Sequence, residues 1–161
     1  MSATTKHPSR PKYMAVQGAA VIVAAALVVL GVLGFIPGVT SGVGDLPWFG
    51  QQSGARLFGT FPVCAVLNLV HIVVGIAGFV FARSYAGARA YLLGGGIVYL
   101  ALWGYGILVD VGSDAHVLPL STATNWLHLG LGVVLALLAV TLAGQHDPTK
   151  RRARIRRPAT R

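Results

Sequence analysis

An all-α membrane domain, a bundle of four transmembrane helices, is predicted by three features of this sequence. First, 55% of its 161 residues are apolar and 11% charged, far from the roughly one-quarter charged residues of a soluble domain. Second, four uncharged apolar runs each approach the ~20 residues a helix needs to cross the hydrocarbon core. Third, those runs are continuous rather than alternating, which excludes barrel strands and leaves helices, the other structure that satisfies its own backbone in lipid.

The runs are Ala15–Ile36, Pro62–Ala82, Tyr91–Val109 and Thr122–Ala143. They divide the chain into a basic arm (1–14), a membrane domain (15–143) and a polybasic tail (144–161). The first run follows Lys6, Arg10 and Lys12, as a signal peptide would. It is longer than the 7–15 apolar residues of a signal h-region, so it reads as a retained helix. Between the first and second runs lies a Gly-, Pro- and Ser-rich segment, 37–61, carrying Trp48 and Phe49. It reads as a surface loop, with a lid that dips its aromatics into the interface as the alternative. The short hairpin Arg83–Arg89 makes the second and third helices antiparallel neighbours.

Orientation follows from the basic residues. The arm carries three Lys or Arg, the 83–89 hairpin two and the tail seven, against Arg56 alone in the other two loops. Under the positive-inside rule both termini are cytoplasmic. The net charge of +9 therefore reports topology before partners. Lys150, Arg151, Arg152, Arg154, Arg156 and Arg157 read as contacts to anionic lipid headgroups, worth ~1 kcal/mol per basic residue near the surface, rather than to nucleic acid.

Several chemistries are excluded or disfavoured. The chain has no Glu and four Asp, which argues against a paired-carboxylate enzyme. Its lone Cys64 excludes an intrachain disulfide and a cysteine-based zinc cluster; no metal site is expected. No catalytic residue stands out.

One internal echo does. Asn68–Leu69–Val70–His71 and a Gly at 75 begin the second helix, and Asn125–Trp126–Leu127–His128 and a Gly at 132 begin the fourth. Spacings of i, i+3 and i+7 place Asn, His and Gly on one helical face. The two hairpins thus look related by an axis along the membrane normal, although the first and third helices show no convincing match. His71 lies nine residues after Pro62 and His128 six after Thr122, so about 14 and 9 Å below the membrane boundary at ~1.5 Å per residue. Ionisable groups at such depth are costly and are candidate sites.

Three readings of Asn68, His71, Asn125 and His128 compete. The residue types favour polar glue, hydrogen bonds between helices set close by glycines. The second reading is haem b held between the two histidines, and the third a quinone or small-molecule pocket with a histidine proton relay. Gly94, Gly95, Gly96, Gly104 and Gly106 read as a packing seam, and Tyr99 and Trp103 as packing or interfacial anchors. A transporter reading ranks last, because broken helices and further intramembrane charges are lacking.

The motifs Gly34–Phe35–Ile36–Pro37–Gly38, Ala55–Arg56–Leu57–Phe58–Gly59–Thr60–Phe61, Asn68–Leu69–Val70–His71, Ala88–Arg89–Ala90–Tyr91–Leu92–Leu93–Gly94–Gly95–Gly96 and Asn125–Trp126–Leu127–His128–Leu129 occur in this order. With them, the chain resembles the actinobacterial membrane family described as domain of unknown function 4383, from about residue 15 to residue 143. The resemblance implies four transmembrane helices in a bacterial plasma membrane and supplies no activity. The sequence departs from the family's pattern at Leu67, where a His commonly stands, and at His116, Ser121 and Thr124, where Asn or Asp is common. If the family held a metal through that His pair, one ligand is missing here. The whole reads as a non-enzymatic accessory membrane subunit, with a homo-oligomer or a membrane-complex partner as the company its glycine faces suit.

Overall fold

The computed structural model describes residues 14–110 and 112–142, so the tail residues 150–157 and most of the basic arm lie outside the described residues. Four helices form: α1 Ala15–Leu33, α2 Ala65–Phe81, α3 Tyr85–Leu108 and α4 Thr122–Thr141. Three of them, α1, α3 and α4, are long and apolar enough to cross a membrane, and α2 is a shorter apolar helix.

Two boundaries differ from expectation. α3 starts at Tyr85, not Tyr91, because Ser84 caps it: the Ser84 hydroxyl accepts from the Gly87 amide at 3.0 Å. This satisfies one of the orphan amides of a first turn and draws Arg89 into the helix. α2 starts at Ala65, not Pro62, because Phe61–Pro62 belong to a strand and a proline nitrogen has no hydrogen to donate to a helix.

That strand is part of structure unforeseen in the sequence. The 37–63 segment folds into a minimal three-stranded antiparallel sheet, β1 Thr40–Ser41, β2 Arg56–Leu57 and β3 Phe61–Pro62, in the order β1-β2-β3. Phe58 and Gly59, with φ of 51° and 68°, make the β2–β3 turn, closed by the Thr60 amide donating to the Leu57 carbonyl at 3.1 Å. Two positive φ values in succession are the geometry of the tight hairpin turns that match strand twist. Ala55, Leu57 and Val63 are buried, with Leu30 and Leu33 of α1 packed against them. The segment is a folded cap seated on the bundle end, rather than an irregular surface loop.

Backbone bonds hold the cap down. The amides of Ala65 and Val66, free at the start of α2, donate to the carbonyls of Pro47 and Trp48 at 2.9 and 3.1 Å, and the Gly50 amide donates to Val117 at 2.7 Å. Gln51 bridges to the α3–α4 loop, donating to the Ser113 carbonyl at 2.6 Å and accepting from the Gly112 amide at 2.9 Å. At the opposite, hairpin end, the buried Gln17 donates to the Ala82 carbonyl at 3.0 Å, tying the start of α1 to the end of α2.

The helices pack chiefly as two antiparallel pairs, α1 with α2 and α3 with α4. Glycines set both seams. A Cβ on Gly75 would lie 2.7 Å from the Ala24 carbonyl oxygen and 2.6 Å from a Val28 methyl, and one on Gly132 2.7 Å from Leu100. A Cβ on Gly34 would strike the Asn68 side chain, and one on Gly106 the Asn125 side chain. These contacts expose a match between α1 and α3 that the residue types conceal. Gly34 and Val28 correspond to Gly106 and Leu100, each 72 residues later, while Asn68, His71 and Gly75 correspond to Asn125, His128 and Gly132, each 57 later. The bundle is a pair of structurally equivalent hairpins. The same offset places Tyr99 where the first hairpin has Leu27, and both are fully buried.

Candidate functional site

His71 is the seventh residue of α2 and His128 the seventh of α4. Both helices run away from the capped end, so the two imidazoles stand at the same depth, about 9 Å from the helix starts. This replaces the unequal depths expected from the apolar runs. His71 is 5% exposed and His128 0%. Their ring centroids are 6.0 Å apart with planes inclined at 31°.

The third member of the cluster is Tyr99 of α3. Its ring centroid lies 5.5 Å from that of His71 and 5.8 Å from that of His128. Tyr99 therefore belongs to the site rather than to an interfacial belt. Its signal in the sequence was its position. It falls in the middle of an apolar span, away from the boundaries where tyrosines anchor helices. Trp103, four residues on, takes no part in the triangle of rings.

The hydrogen bonds separate Asn125 from the other three residues of the predicted cluster. Asn125 bonds across the α3–α4 seam: its side-chain amide donates to the Gly106 carbonyl of α3 at 3.0 Å. The other three residues of the predicted cluster make no comparable bond. His71 Nδ1 lies 2.7 Å from the Leu67 carbonyl, one turn back on its own helix. That carbonyl can only accept, so Nδ1 carries the hydrogen and Nε2 the lone pair. His71 Nε2, both His128 nitrogens, the Tyr99 hydroxyl and the Asn68 side-chain nitrogen are buried without a hydrogen-bond partner in the chain. The two Asn-x-x-His faces thus diverge in role. Each Asn packs on a glycine of its own hairpin, whereas the histidines meet across the bundle axis.

Five such atoms in one place are unusual, since nearly all buried polar groups in folded proteins are bonded to protein or water. Asn68, His71 and His128 border a cavity of about 20 Å³ between the cap and the helices, and Tyr99 stands behind the two histidines, outside its lining. His71, Asn68, His128 and Thr124 contribute polar groups, and Leu57 and Phe61 of the cap form part of its roof. That volume is enough for a water or a single ion and far below the hundreds of Å³ of organic-ligand pockets. Toward the hairpin end the fully buried Leu27, Leu92 and Leu135 fill the core. The site therefore borders the capped end and not the other.

A second polar pair joins His116 of the α3–α4 loop to Tyr105 of α3. His116 is buried and stacks on Tyr105, centroids 5.9 Å apart and planes 17° apart. The Tyr105 hydroxyl donates to the Ala115 carbonyl and accepts from the Val117 amide, both at 2.6 Å. These bonds tie the α3–α4 loop to α3, and the pair takes no part in the central cluster. Among the described residues, no group of three or more His, Cys, Asp or Glu side chains converges as a metal site would.

No curated protein and no solved structure matches the chain. The family described as domain of unknown function 4383 matches residues 17–141, a stretch that takes in all but the first two residues of α1, the cap, the three rings and the whole of α4. This is a membrane-type helical protein belonging to that family.

Proposed function

We propose that this chain is a non-enzymatic, four-span plasma-membrane protein whose core presents a small polar binding site toward the outer face. The observation that carries the reading is the set of four unpartnered buried nitrogens on Asn68, His71 and His128, which border one cavity beneath the cap, with the unpartnered Tyr99 hydroxyl on a ring packed against both histidines. Their clustering favours a site over packing, because each unsatisfied buried polar group costs ~1–3 kcal/mol and leucines there would cost nothing of the kind. The distribution of Lys and Arg supports cytoplasmic termini and an outward-facing cap. α2, at 17 residues, reaches about 26 Å against the ~30 Å hydrocarbon core, and its capped amides spare it the need to extend further. The polybasic tail suits anionic headgroups on the inner leaflet, and the bacterial plasma membrane is the setting the family resemblance implies. Association with a second copy or a larger membrane complex suits an accessory role.

The haem and quinone readings share the donors but not the space. A porphyrin or a quinone ring would have to part α2 from α4, so water-sized or ionic ligands fit better. Reduced and oxidised absorption spectra of protein made with ample haem test this, and a Soret band lost on changing His71 or His128 would restore the cytochrome reading. A transport path would need an opening through Leu27, Leu92 and Leu135.

Access to the site is tested with Thr124→Cys in a Cys64→Ala background, in sealed right-side-out vesicles. Slow modification by a membrane-impermeant methanethiosulfonate added outside is expected, with Ala139→Cys unreactive. Thr124→Cys that reacts only after detergent opens the bundle would contradict an outward-facing site.

A further inference from the structure

The cavity, the rings and the absence of acidic groups from the helices narrow the ligand. We propose that His71 and His128 clamp a single cuprous ion, with Tyr99 beside it; this rests on reading the core as a binding site. When two imidazoles turn one nitrogen each toward a shared ion at roughly 2 Å, the scale of imidazole–metal bonds, their ring centroids stand about 6 Å apart, and the observed separation is 6.0 Å. The midpoint between them lies about 4.8 Å from the Tyr99 centroid, from the triangle of sides 5.5, 5.8 and 6.0 Å. That is within the ~6 Å over which an aromatic ring attracts a cation.

The histidines are prepared as ligands. The Leu67 carbonyl fixes the His71 tautomer, leaving Nε2 as a bare lone pair, the arrangement by which a second contact orients a metal-binding imidazole. An imidazole in its neutral form has one lone-pair nitrogen, and at His128 neither nitrogen is engaged.

Charge and coordination select the ion. Among the described residues the carboxylates, Asp45, Asp110 and Asp114, are exposed outside the bundle and none sits on α1, α2, α3 or α4. An ion at the rings would therefore keep its whole charge in a low-dielectric core, where the solvation cost is severe even for one unit. This disfavours a divalent ion. Zinc also demands three or four protein ligands, which the described residues do not offer. Alkali ions prefer oxygen donors, whereas imidazole nitrogen suits copper. A monovalent, two-coordinate copper ion meets all three conditions and fits a cavity of about 20 Å³.

The test uses tag-free, full-length protein in nanodiscs. Copper is kept cuprous with ascorbate under nitrogen and competed against a chromogenic cuprous chelator. One copper per chain is expected in the wild type and in His116→Ala, with binding lost in His71→Leu and in His128→Leu. X-ray absorption should show a cuprous ion with two nitrogen neighbours and no third ligand at bonding distance, and zinc dialysed under the same conditions should not be retained. Each variant is checked by its melting transition, so that lost binding is read on folded protein. Wild type that yields its copper completely to the chelator would overturn the proposal. So would copper retained undiminished by the His71→Leu/His128→Leu double variant, which would place it elsewhere in the chain. If copper fails to bind while Thr124→Cys is reached from outside, the ion assignment falls and the outward-facing site stands.

Discussion

At the scale of single residues, two asparagines with the same sequence surroundings do different work. Asn125 bonds the Gly106 carbonyl, whereas the Asn68 side-chain nitrogen finds no partner. Asn125→Leu should therefore lower bundle stability by about 0.6 kcal/mol, the usual value of an interhelical side-chain bond in membranes, and Asn68→Leu should lower it less. Thermal or SDS-unfolding midpoints of the two variants, side by side, check the ordering. The sequence made His71 and His128 legible, because ionisable groups inside apolar runs are conspicuous. Tyr99 was less legible: its mid-span position set it apart, but its two partners are 28 and 29 residues away in the chain and nothing in the spacing joins it to them. Nor could it separate glue from unpartnered groups: that depends on whether a donor meets a carbonyl, a matter of ångströms.

At the scale of elements, the glycines divide by what surrounds them. Gly75 faces the Ala24 carbonyl and Gly132 the Leu100 backbone and side chain, whereas nothing lies within 4 Å of a Cβ built on Gly94. Gly75→Val should force α1 and α2 apart and cost at least the 1–3 kcal/mol typical of overpacking. Gly94→Ala should be neutral or stabilise by up to ~1 kcal/mol through helix propensity. Unfolding midpoints of the pair would show whether the seam is where the structure puts it. The helices themselves were legible from apolar length, with errors at α2 and α3 that trace to a proline and a serine cap. The cap's sheet was not legible, because strands of two residues leave no periodicity to read. Its turn carries Phe58 at φ 51°, a conformation that costs a side-chain-bearing residue roughly 1–2 kcal/mol. Phe58→Asn should relieve part of that strain and raise the melting temperature in detergent.

At the scale of the whole molecule, equivalence of the two hairpins explains why the site sits where it does. Two copies of one Asn-x-x-His-x-x-x-Gly face, on helices running in the same direction, bring their histidines to one depth on the bundle axis. Half of this duplication was legible in α2 and α4. The other half was hidden, because its equivalent positions pair unlike residues, Val28 with Leu100 and Leu27 with Tyr99. The cap completes the asymmetry, closing one end while Trp48 and Phe49, exposed by 69% and 64%, are placed to meet the membrane interface that such rings prefer. Ser41→Cys in the cap should then react with impermeant reagents from outside intact cells, and Ala86→Cys on the hairpin should not. The reverse pattern would invert the topology.

The central claim is that the two histidines are kept for what they bind and not for what they hold together. The most direct measurement is the unfolding stability of His71→Leu/His128→Leu beside the wild type, in the same lipid or detergent and without added metal. Removing both sets of unpartnered nitrogens in favour of apolar groups should leave the stability unchanged or raise it, as expected when buried polar groups without partners are replaced together. A loss of several kcal/mol would show that the pair is structural glue, and the account of a binding site would not survive it.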